Sequence, residues 1–332
     1  MKHLKFIKLT ISGLLIIAFA SQMAMAQLLE VDKRIPKYKK TTGITGNANS
    51  IGSDTMNNLM ALWLEGFRKY YPLVNVQIEG KGSSTAPPAL IEATAQFGPM
   101  SRAMKSKEID AFEKKYGFKP TQIRTSFDAL AIFVHKDNPL ECLTMEQADA
   151  IFSKNRKRGY ESDIATWGDL GLSGDWQNQP IRVFGRNSAS GTYGFFKQKV
   201  LKKGDFKDSV KEQPGSASVV QGITEDKFAI GYSGIGYKTS GVQTMSLAGK
   251  SGEDCFDGSY ENVVAKTYPL ARFLYLYIVN SPTKPLDPLV KEFLLFVLSA
   301  EGQEIVAKDG YLPLTYEVVM EERAKLELGS GS

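Results

Sequence analysis

The feature that most constrains the fold is a unit of strand, polar turn and helix that occurs three times in succession. The first copy, GNANSIGSDTMNNLMALWLEGF, places Leu59, Leu62, Trp63 and Phe67 at helical spacing. The second copy runs through VNVQIEGKGSSTAPPALIEATAQ, and the third is FGPMSRAMKSKEIDAFEKKYG. Repetition of this unit predicts an α/β protein with a mainly parallel sheet.

The first 26 residues are typical of a secretory signal peptide. Three lysines precede a short apolar run, Leu9–Ala20, and small residues at Ala24–Ala26 allow cleavage before Gln27. A membrane anchor is the alternative, but the run is shorter than the ~20 residues that span a bilayer. Loss of the three lysines reduces the basic side chains from 41 to 38, against 36 acids. This balance argues against nucleic acid as a partner.

Histidine and cysteine counts restrict the chemistry further. His3 lies in the predicted signal peptide, so the exported chain keeps only His135. A Ser-His-Asp relay would have to use that residue, and clustered His/Cys metal sites are excluded. Cys142 and Cys255 either form one disulfide or remain two free thiols.

Four helix starts carry hydroxyl or arginine side chains suited to an anion. Backbone N–H groups at such starts lack partners and carry partial positive charge. The four turns are GSDTM, GKGSSTA, MSRAM and GRNSASGT. Each turn alone is also explained as a helix cap, and GKGSSTA lacks the spacing of a phosphate-binding P-loop. Together they predict one shared oxyanion site. The candidate ligands are Ser53, Asp54, Thr55, Ser83, Ser84, Ser101, Arg102, Arg186, Ser190, Gly191 and Thr192.

The order of several motifs resembles one family. GSDTM, GSSTAP, MSR, RNSASGT, AIGYSGIGY and YPLARFLYLY follow one another as in periplasmic phosphate-binding proteins of phosphate-uptake ABC transporters. The resemblance covers about residues 46–314, and the Arg-x-x-x-Ser-Gly-Thr spacing is its most specific part. It implies phosphate contacts from Asp54, Thr55, Ser83 and the matched residues Arg186, Ser190, Gly191 and Thr192.

The resemblance also implies a type II periplasmic-binding-protein fold, with two α/β lobes joined by two crossover strands. The apolar segments 129–135 and 271–278 fit those strands. Lobe one would then comprise 27–130 and 270–332, including the C-terminal tail, and lobe two would comprise 131–269. A ligand held by both lobes would favour closure of the cleft.

One departure from the family pattern concerns phosphate selectivity. Some members have an aspartate where this chain has Ser101, and a threonine where it has Asp54. Phosphate at neutral pH carries a proton that needs an acceptor, whereas sulfate does not, so a buried carboxylate would select phosphate. We therefore expect Asp54 to be the acceptor. Arg102 would pair either with Asp54 or with the ligand.

The resulting interpretation is a non-enzymatic, monomeric periplasmic protein that binds phosphate and delivers it to an ABC permease without a cofactor. An exported phosphatase is one alternative, although no nucleophile elbow or metal-ligand cluster is present. A binder of another oxyanion, such as sulfate or molybdate, is a second alternative. A secreted or surface-associated role is a third, and the sequence neither supports nor excludes it.

Overall fold

A computed structural model of the chain describes residues 29–327; the predicted signal peptide lies outside the described residues. The strands are β1 (Gly46–Ile51), β2 (Val74–Glu79), β3 (Gly98–Met100), β4 (Thr121–His135), β5 (Cys142–Thr144), β6 (Arg182–Arg186), β7 (Lys211–Gln213), β8 (Ala229–Gly234), β9 (Val242–Thr244), β10 (Ser246–Ala248) and β11 (Ala271–Ile278). The helices are α1 (Asn57–Arg68), α2 (Ala86–Ile91), α3 (Ser106–Tyr116), α4 (Met145–Phe152), α5 (Gly191–Lys199), α6 (Ser216–Glu225), α7 (Tyr260–Val264), α8 (Pro288–Val297), α9 (Ala300–Lys308) and α10 (Tyr316–Glu327).

Strand β4 connects the two halves of the molecule. Its first part pairs with β11 as far as Ala129, and from Leu130 it pairs with β8. The resulting sheet has the order β3-β11-β4-β8-β6-β7, with β9 beside β4. This is the predicted two-lobed α/β architecture. The change of partner at Ala129–Leu130 supports the lobe boundary near residue 130, although the boundaries themselves stay a prediction.

The expectation of a mainly parallel sheet is only partly correct, because parallel and antiparallel pairs are mixed in both halves. β1 pairs with β2, and β6 pairs with β7 and β8, in parallel. The pairs formed by β4 with β11, β8 and β9, and by β11 with β3, are antiparallel. The two crossover strands run in opposite directions between the lobes, so their pairing is antiparallel.

The C-terminal part of the chain completes the core of lobe one. Phe67 on α1 packs edge-on against Phe293 of α8, with ring centroids 5.3 Å apart, and the Trp63 indole donates to the Gly302 carbonyl of α9. The sequence predicts one helix here, but α8 ends before Ser299, which caps a separate α9. Leu326, the first residue of the segment LELGSGS that the sequence predicts to be a loose tail, is instead buried at the end of α10.

Among residues 29–327, no helix combines the length and the apolar character needed to cross a membrane. The segment 29–43, whose lysines predict a solvated face, does expose its lysines, but it packs its apolar side chains on lobe one. Ile35 is buried in the core, and the Tyr38 hydroxyl donates to Glu292 at 2.7 Å. The charge of this segment does not predict this contact, because its lysines alternate with single apolar residues.

The two cysteines form a disulfide between the start of β5 and the loop after β10. Their Cα atoms are 6.2 Å apart and lie 113 residues apart in sequence. Strands β5 and β10 pair in parallel beside the bond. Both cysteines lie between the two crossover strands, so the bond staples lobe two and leaves the connection between the lobes unconstrained.

We expect the double variant Cys142→Ser/Cys255→Ser to lower the free energy of unfolding by roughly 2–5 kcal/mol, because the bond closes a long loop. Urea unfolding followed by tryptophan fluorescence, with and without dithiothreitol, measures the change. Anion affinity should stay within about twofold, since no ligand candidate contacts the bond. Equal unfolding midpoints for the variant and the oxidised protein would contradict the assigned role.

Candidate functional site

Five buried hydroxyl groups from the two lobes meet in one cluster, which we call the hydroxyl cluster. It comprises Ser53, Thr55, Ser83, Ser101 and Thr192, each at most 2% exposed. They come from the turns that follow β1, β2, β3 and β6. Ligands of open α/β sheets bind outside the carboxyl ends of the strands, and these turns lie at those ends.

Short contacts connect the members of the cluster. Ser101 Oγ is 3.1 Å from Ser53 Oγ, 3.3 Å from Ser83 Oγ and 3.5 Å from Thr192 Oγ1. Thr55 Oγ1 and Thr192 Oγ1 are 3.0 Å apart and join lobe one to lobe two. A hydroxyl can donate as well as accept, so the cluster can turn its protons toward an anion.

Gly191 allows this close approach of the lobes. A Cβ atom at residue 191 would lie 2.2 Å from Ser83 Oγ and 2.6 Å from Ser101 Oγ. Gly82 has φ +119°, and a Cβ there would lie 2.5 Å from the Ala189 carbonyl oxygen. Only glycine fits these two places, because any side chain would separate the two walls of the cleft.

Helix α5 directs its N-terminus at the cluster. Ser190 is the N-cap, and its Oγ accepts from the backbone N–H groups of Thr192 and Tyr193 at 3.1 and 3.4 Å. Ser190 is 3% exposed. The positive end of the helix dipole therefore lies beside Thr192, where it favours negative charge.

Arg186 and Asp54 form an ion pair between the lobes. The distance from Arg186 Nη2 to Asp54 Oδ2 is 3.1 Å, and the Arg186 side chain is 1% exposed. Asp54 Oδ2 also accepts from Ser216 N at 2.8 Å. Arg186 donates to Ser216 Oγ and to the Pro214 carbonyl, whereas its buried Nε has no hydrogen-bond partner among the described residues.

Burial lowers the pKa of the Arg186 guanidinium, and the neighbouring Asp54 carboxylate opposes that shift. The turn that carries Asp54 is fixed by two tyrosines, since Tyr237 donates to the Asp54 carbonyl at 3.0 Å and Tyr311 to the Thr55 carbonyl at 2.8 Å. Burial raises the pKa of both tyrosines. They therefore stay protonated and keep the turn in place.

Sequence reasoning missed a second arginine at this place, Arg272 on β11. Its Nε donates to Asp128 Oδ2 at 2.7 Å, its Nη1 to the Ser101 carbonyl at 2.9 Å and its Nη2 to Thr192 Oγ1 at 3.0 Å. One buried guanidinium thus contacts a crossover strand, a turn of lobe one and a helix start of lobe two. It places positive charge directly beside the hydroxyl cluster.

A sequence signal for this pair existed. SFDALAIFVH and ARFLYLYI are the predicted crossover strands, and Asp128 and Arg272 are single charged residues amid their apolar stretches. Lone opposite charges in two apolar strands favour a buried pair. The strands pair in a register that sets Arg272 opposite Asp128.

Two candidate residues, Ser84 and Arg102, make their side-chain hydrogen bonds outside both the hydroxyl cluster and the Arg186–Asp54 pair. Ser84 is exposed, and its Oγ donates to the Ala189 carbonyl at 3.0 Å, across the cleft. Arg102 makes a two-pronged pair with Glu108, with both N–O distances 2.7 Å. Of the two partners expected for Arg102, Asp54 is wrong, because Glu108 engages both terminal nitrogens of the guanidinium. Contact of Arg102 with the ligand stays a prediction.

We expect Arg272→Lys to weaken anion binding about tenfold, because a lysine ammonium cannot reproduce the fork that reaches three acceptors at once. Calorimetric titration of the ligand-stripped protein measures the change. Arg124→Lys is the matched control, since Arg124 lies on β4 and pairs with Glu321 and Glu322 away from the cluster. Equal affinities for the two variants would exclude a role of Arg272 in positioning.

The residues of the site are chemically suited to bind a small anion. Hydroxyl donors, two buried guanidinium groups and a helix N-terminus surround a place for a small anion, with one carboxylate at its edge. His135 lies at the far end of β4, where its Nδ1 accepts from Asp137 N. Within residues 29–327, no group of three or more His, Cys, Asp or Glu side chains could hold a metal ion.

Comparison with known proteins places the chain in a family. A domain model described as the PBP superfamily domain matches residues 40–301. The phosphate-binding protein PstS of Pseudomonas aeruginosa PAO1 is 55% identical over 306 residues, which are 92% of this chain and 94% of that protein. The chain belongs to the phosphate-binding proteins of the PBP superfamily. Membership in this solute-binding family confirms the prediction that the chain is not an enzyme.

Solved structures agree with the family assignment. A putative phosphate ABC transporter substrate-binding protein with bound phosphate from Clostridium perfringens is 26% identical, with a TM-score of 0.69 over 81% of this chain and 100% of that one. An ABC-type phosphate transport receptor from Vibrio cholerae is 22% identical, with a TM-score of 0.62 over 80% of this chain and 100% of that one. The second likeness concerns the fold alone, which is the type II architecture predicted from the sequence.

Proposed function

We propose that this protein binds inorganic phosphate between its two lobes and delivers it to the membrane subunits of a phosphate ABC transporter. The observation that carries the proposal is the buried hydroxyl cluster, flanked by Arg186, Arg272 and the N-terminus of α5. Phosphate offers oxygen acceptors in all directions, and each of these groups can donate to it. The relatives' names agree with this ligand.

In this proposal, phosphate replaces the contacts that the five hydroxyl groups make with one another. Thr55 and Ser101 of lobe one and Thr192 of lobe two then share one ligand. The closed arrangement is favoured because an opened cleft leaves each lobe with only half of the donors. The buried Nε of Arg186, which has no partner among the described residues, is a further donor for the anion.

Asp54 accepts the proton of the bound phosphate in this proposal. Its Oδ2 is engaged by Arg186 and Ser216, whereas its Oδ1 makes no hydrogen bond with the described residues. Sulfate has no proton to donate, so its oxygen lone pairs would face the carboxylate and bind poorly. In the ion pair, Arg186 thus supplies positive charge for the anion, and Asp54 selects phosphate over sulfate.

The cellular setting completes the proposal. Proteins of this family are periplasmic, and residues 1–26 would provide the export signal for this chain. The protein acts as a monomer, which sedimentation of the purified protein tests. Lobe one comprises residues 27–130 and 270–332, and lobe two comprises residues 131–269.

Calorimetry on the purified, ligand-stripped protein tests the function directly. Phosphate, arsenate and sulfate are titrated separately at neutral pH. We expect phosphate to bind at least about a hundredfold more tightly than sulfate, because the carboxylate opposes an unprotonated oxyanion. Absence of phosphate binding would overturn the proposal, and tighter binding of sulfate would assign the site to another oxyanion.

A further inference from the structure

A separate cavity of about 720 Å³ lies between the lobes, next to the hydroxyl cluster. Its walls come from the segment Arg102–Ser106 of lobe one, from α5 of lobe two and from β11. This volume is in the range of sites for small organic ligands, whereas one phosphate ion needs much less room. The cavity is therefore oversized for the proposed transport ligand.

The charges that line the cavity are all of one sign. Six cationic residues and no Asp or Glu occur among its lining residues: Arg102, Lys105, Lys197, Lys199, Lys203 and Arg272. Three of these have acidic partners behind the wall, namely Glu108, Asp205 and Asp128. The other three, Lys105, Lys199 and Lys203, form no ion pair with any described residue. A cavity with cationic walls and unpaired lysines attracts anions.

Aromatic rings form the second part of the wall. Tyr193, Phe195, Phe273 and Tyr275 line the cavity and are half-buried. The Phe273 ring already stacks on Phe127, with centroids 4.6 Å apart. The Arg272 guanidinium lies 5.3 Å from the centroid of the Phe195 ring. Exposed ring faces bind planar groups by stacking. An inorganic anion would make no use of these rings, whereas an anion that carries a planar ring would use both kinds of wall.

The cavity is distinct from the proposed phosphate site. Ser190 and Arg272 belong to both, but Asp54, Arg186 and the five members of the hydroxyl cluster do not line the cavity. Arg272 binds Asp128, Ser101 and Thr192 on one side and adjoins Phe195 on the other. Its guanidinium therefore lies between the hydroxyl cluster and the cavity.

We propose that this cavity is a second ligand site, for aromatic phosphate monoesters such as nucleoside 5′-monophosphates. The phosphate group pairs with Lys105 of lobe one and Lys199 of lobe two, and the planar base stacks on the ring of Phe195. Because the two lysines belong to different lobes, the ester bridges the mouth of the cleft while inorganic phosphate occupies the hydroxyl cluster.

The test is calorimetric titration of adenosine 5′-monophosphate into protein saturated with inorganic phosphate, at low ionic strength. We expect binding with a dissociation constant below about 1 mM, and at least tenfold weaker binding of adenosine, which lacks the charge. Binding that inorganic phosphate abolishes would place the ester in the hydroxyl cluster and overturn the proposal. Absence of binding, or equal binding of adenosine, would overturn it as well.

Two variants locate the site. Lys105→Gln/Lys199→Gln should weaken the monophosphate at least about tenfold while the affinity for inorganic phosphate is unchanged, because both lysines are exposed and lie outside the hydroxyl cluster. Lys114→Gln/Lys250→Gln removes the same charge from exposed positions outside the cavity and should leave the monophosphate unaffected. An equal loss of monophosphate affinity in both double variants would show that only the net charge of the protein matters, and it would contradict the proposal.

Phe195→Leu tests the aromatic wall. It should weaken adenosine 5′-monophosphate about fivefold and leave ribose 5-phosphate unchanged, since only the former has a ring to stack. Equal weakening of both compounds would contradict the recognition of a planar group. Inorganic phosphate is titrated in a separate experiment on the same variants. A failure of the proposed phosphate function can therefore be distinguished from a failure of the second-site proposal.

Discussion

Replacement of Arg186 by glutamine lowers phosphate affinity by about a hundredfold to a thousandfold in our expectation. The change removes a buried charge from the proposed phosphate site and also leaves Asp54 without its cation across the cleft. Truncation of one partner in a buried, hydrogen-bonded charge pair costs roughly 2–5 kcal/mol, and each 1.4 kcal/mol is about tenfold in affinity. Calorimetric titration of ligand-stripped protein measures the loss.

Arg182→Gln is the matched control for this result. Arg182 lies on the same strand, four residues earlier, and pairs with Asp226 outside the cleft. It keeps the strand, the residue type and the kind of partner constant. We expect its phosphate affinity to stay within about twofold of the unmodified protein. A similar affinity for the Arg186 and Arg182 variants would remove Arg186 from the site.

Replacement of Asp54 by asparagine should reduce the ratio of phosphate to sulfate affinity by about tenfold to a hundredfold. An asparagine amide can donate to an unprotonated oxyanion, whereas the carboxylate can only accept from a protonated one. Hydrogen bonds to charged groups contribute about 1.5–3 kcal/mol, which sets this range. Separate titrations with phosphate and sulfate give the ratio.

Asp226→Asn serves as the control, because it neutralises the carboxylate of the ion pair outside the cleft. It should leave both affinities and their ratio unchanged. If Asp54→Asn also leaves the ratio unchanged, another group accepts the phosphate proton. A loss of phosphate affinity without any gain in relative sulfate binding would limit Asp54 to supporting Arg186.

The fold and most of the site could be predicted from local patterns. Helical spacing in α1 and hydroxyl-rich turns after β1, β2 and β6 are properties of short segments, and each has a direct physical reading. The position of Arg186 four residues before Ser190 is likewise local. The hydroxyl-rich turns predicted four of the five members of the hydroxyl cluster. The fifth, Ser101, was predicted from the motif MSR.

What the sequence left open depends on contacts between distant segments. The sequence left Arg102 with two possible partners, Asp54 or the ligand, and only the folded chain shows that Glu108 on α3 engages it. Arg272 becomes a site residue because the register of β11 on β4 sets it opposite Asp128. The break between α8 and α9 depends on capping by Ser299, which competes with a continuous apolar pattern.

Gly191 gives the molecule a fixed stop for closure. Since the space above its Cα is taken up by Ser83 and Ser101, even one added methyl group would act as a spacer between the lobes. Thr192 would then fall short of Thr55, and the cleft would rest ajar. The absence of a side chain at residue 191 thus determines how closely the two lobes can approach each other.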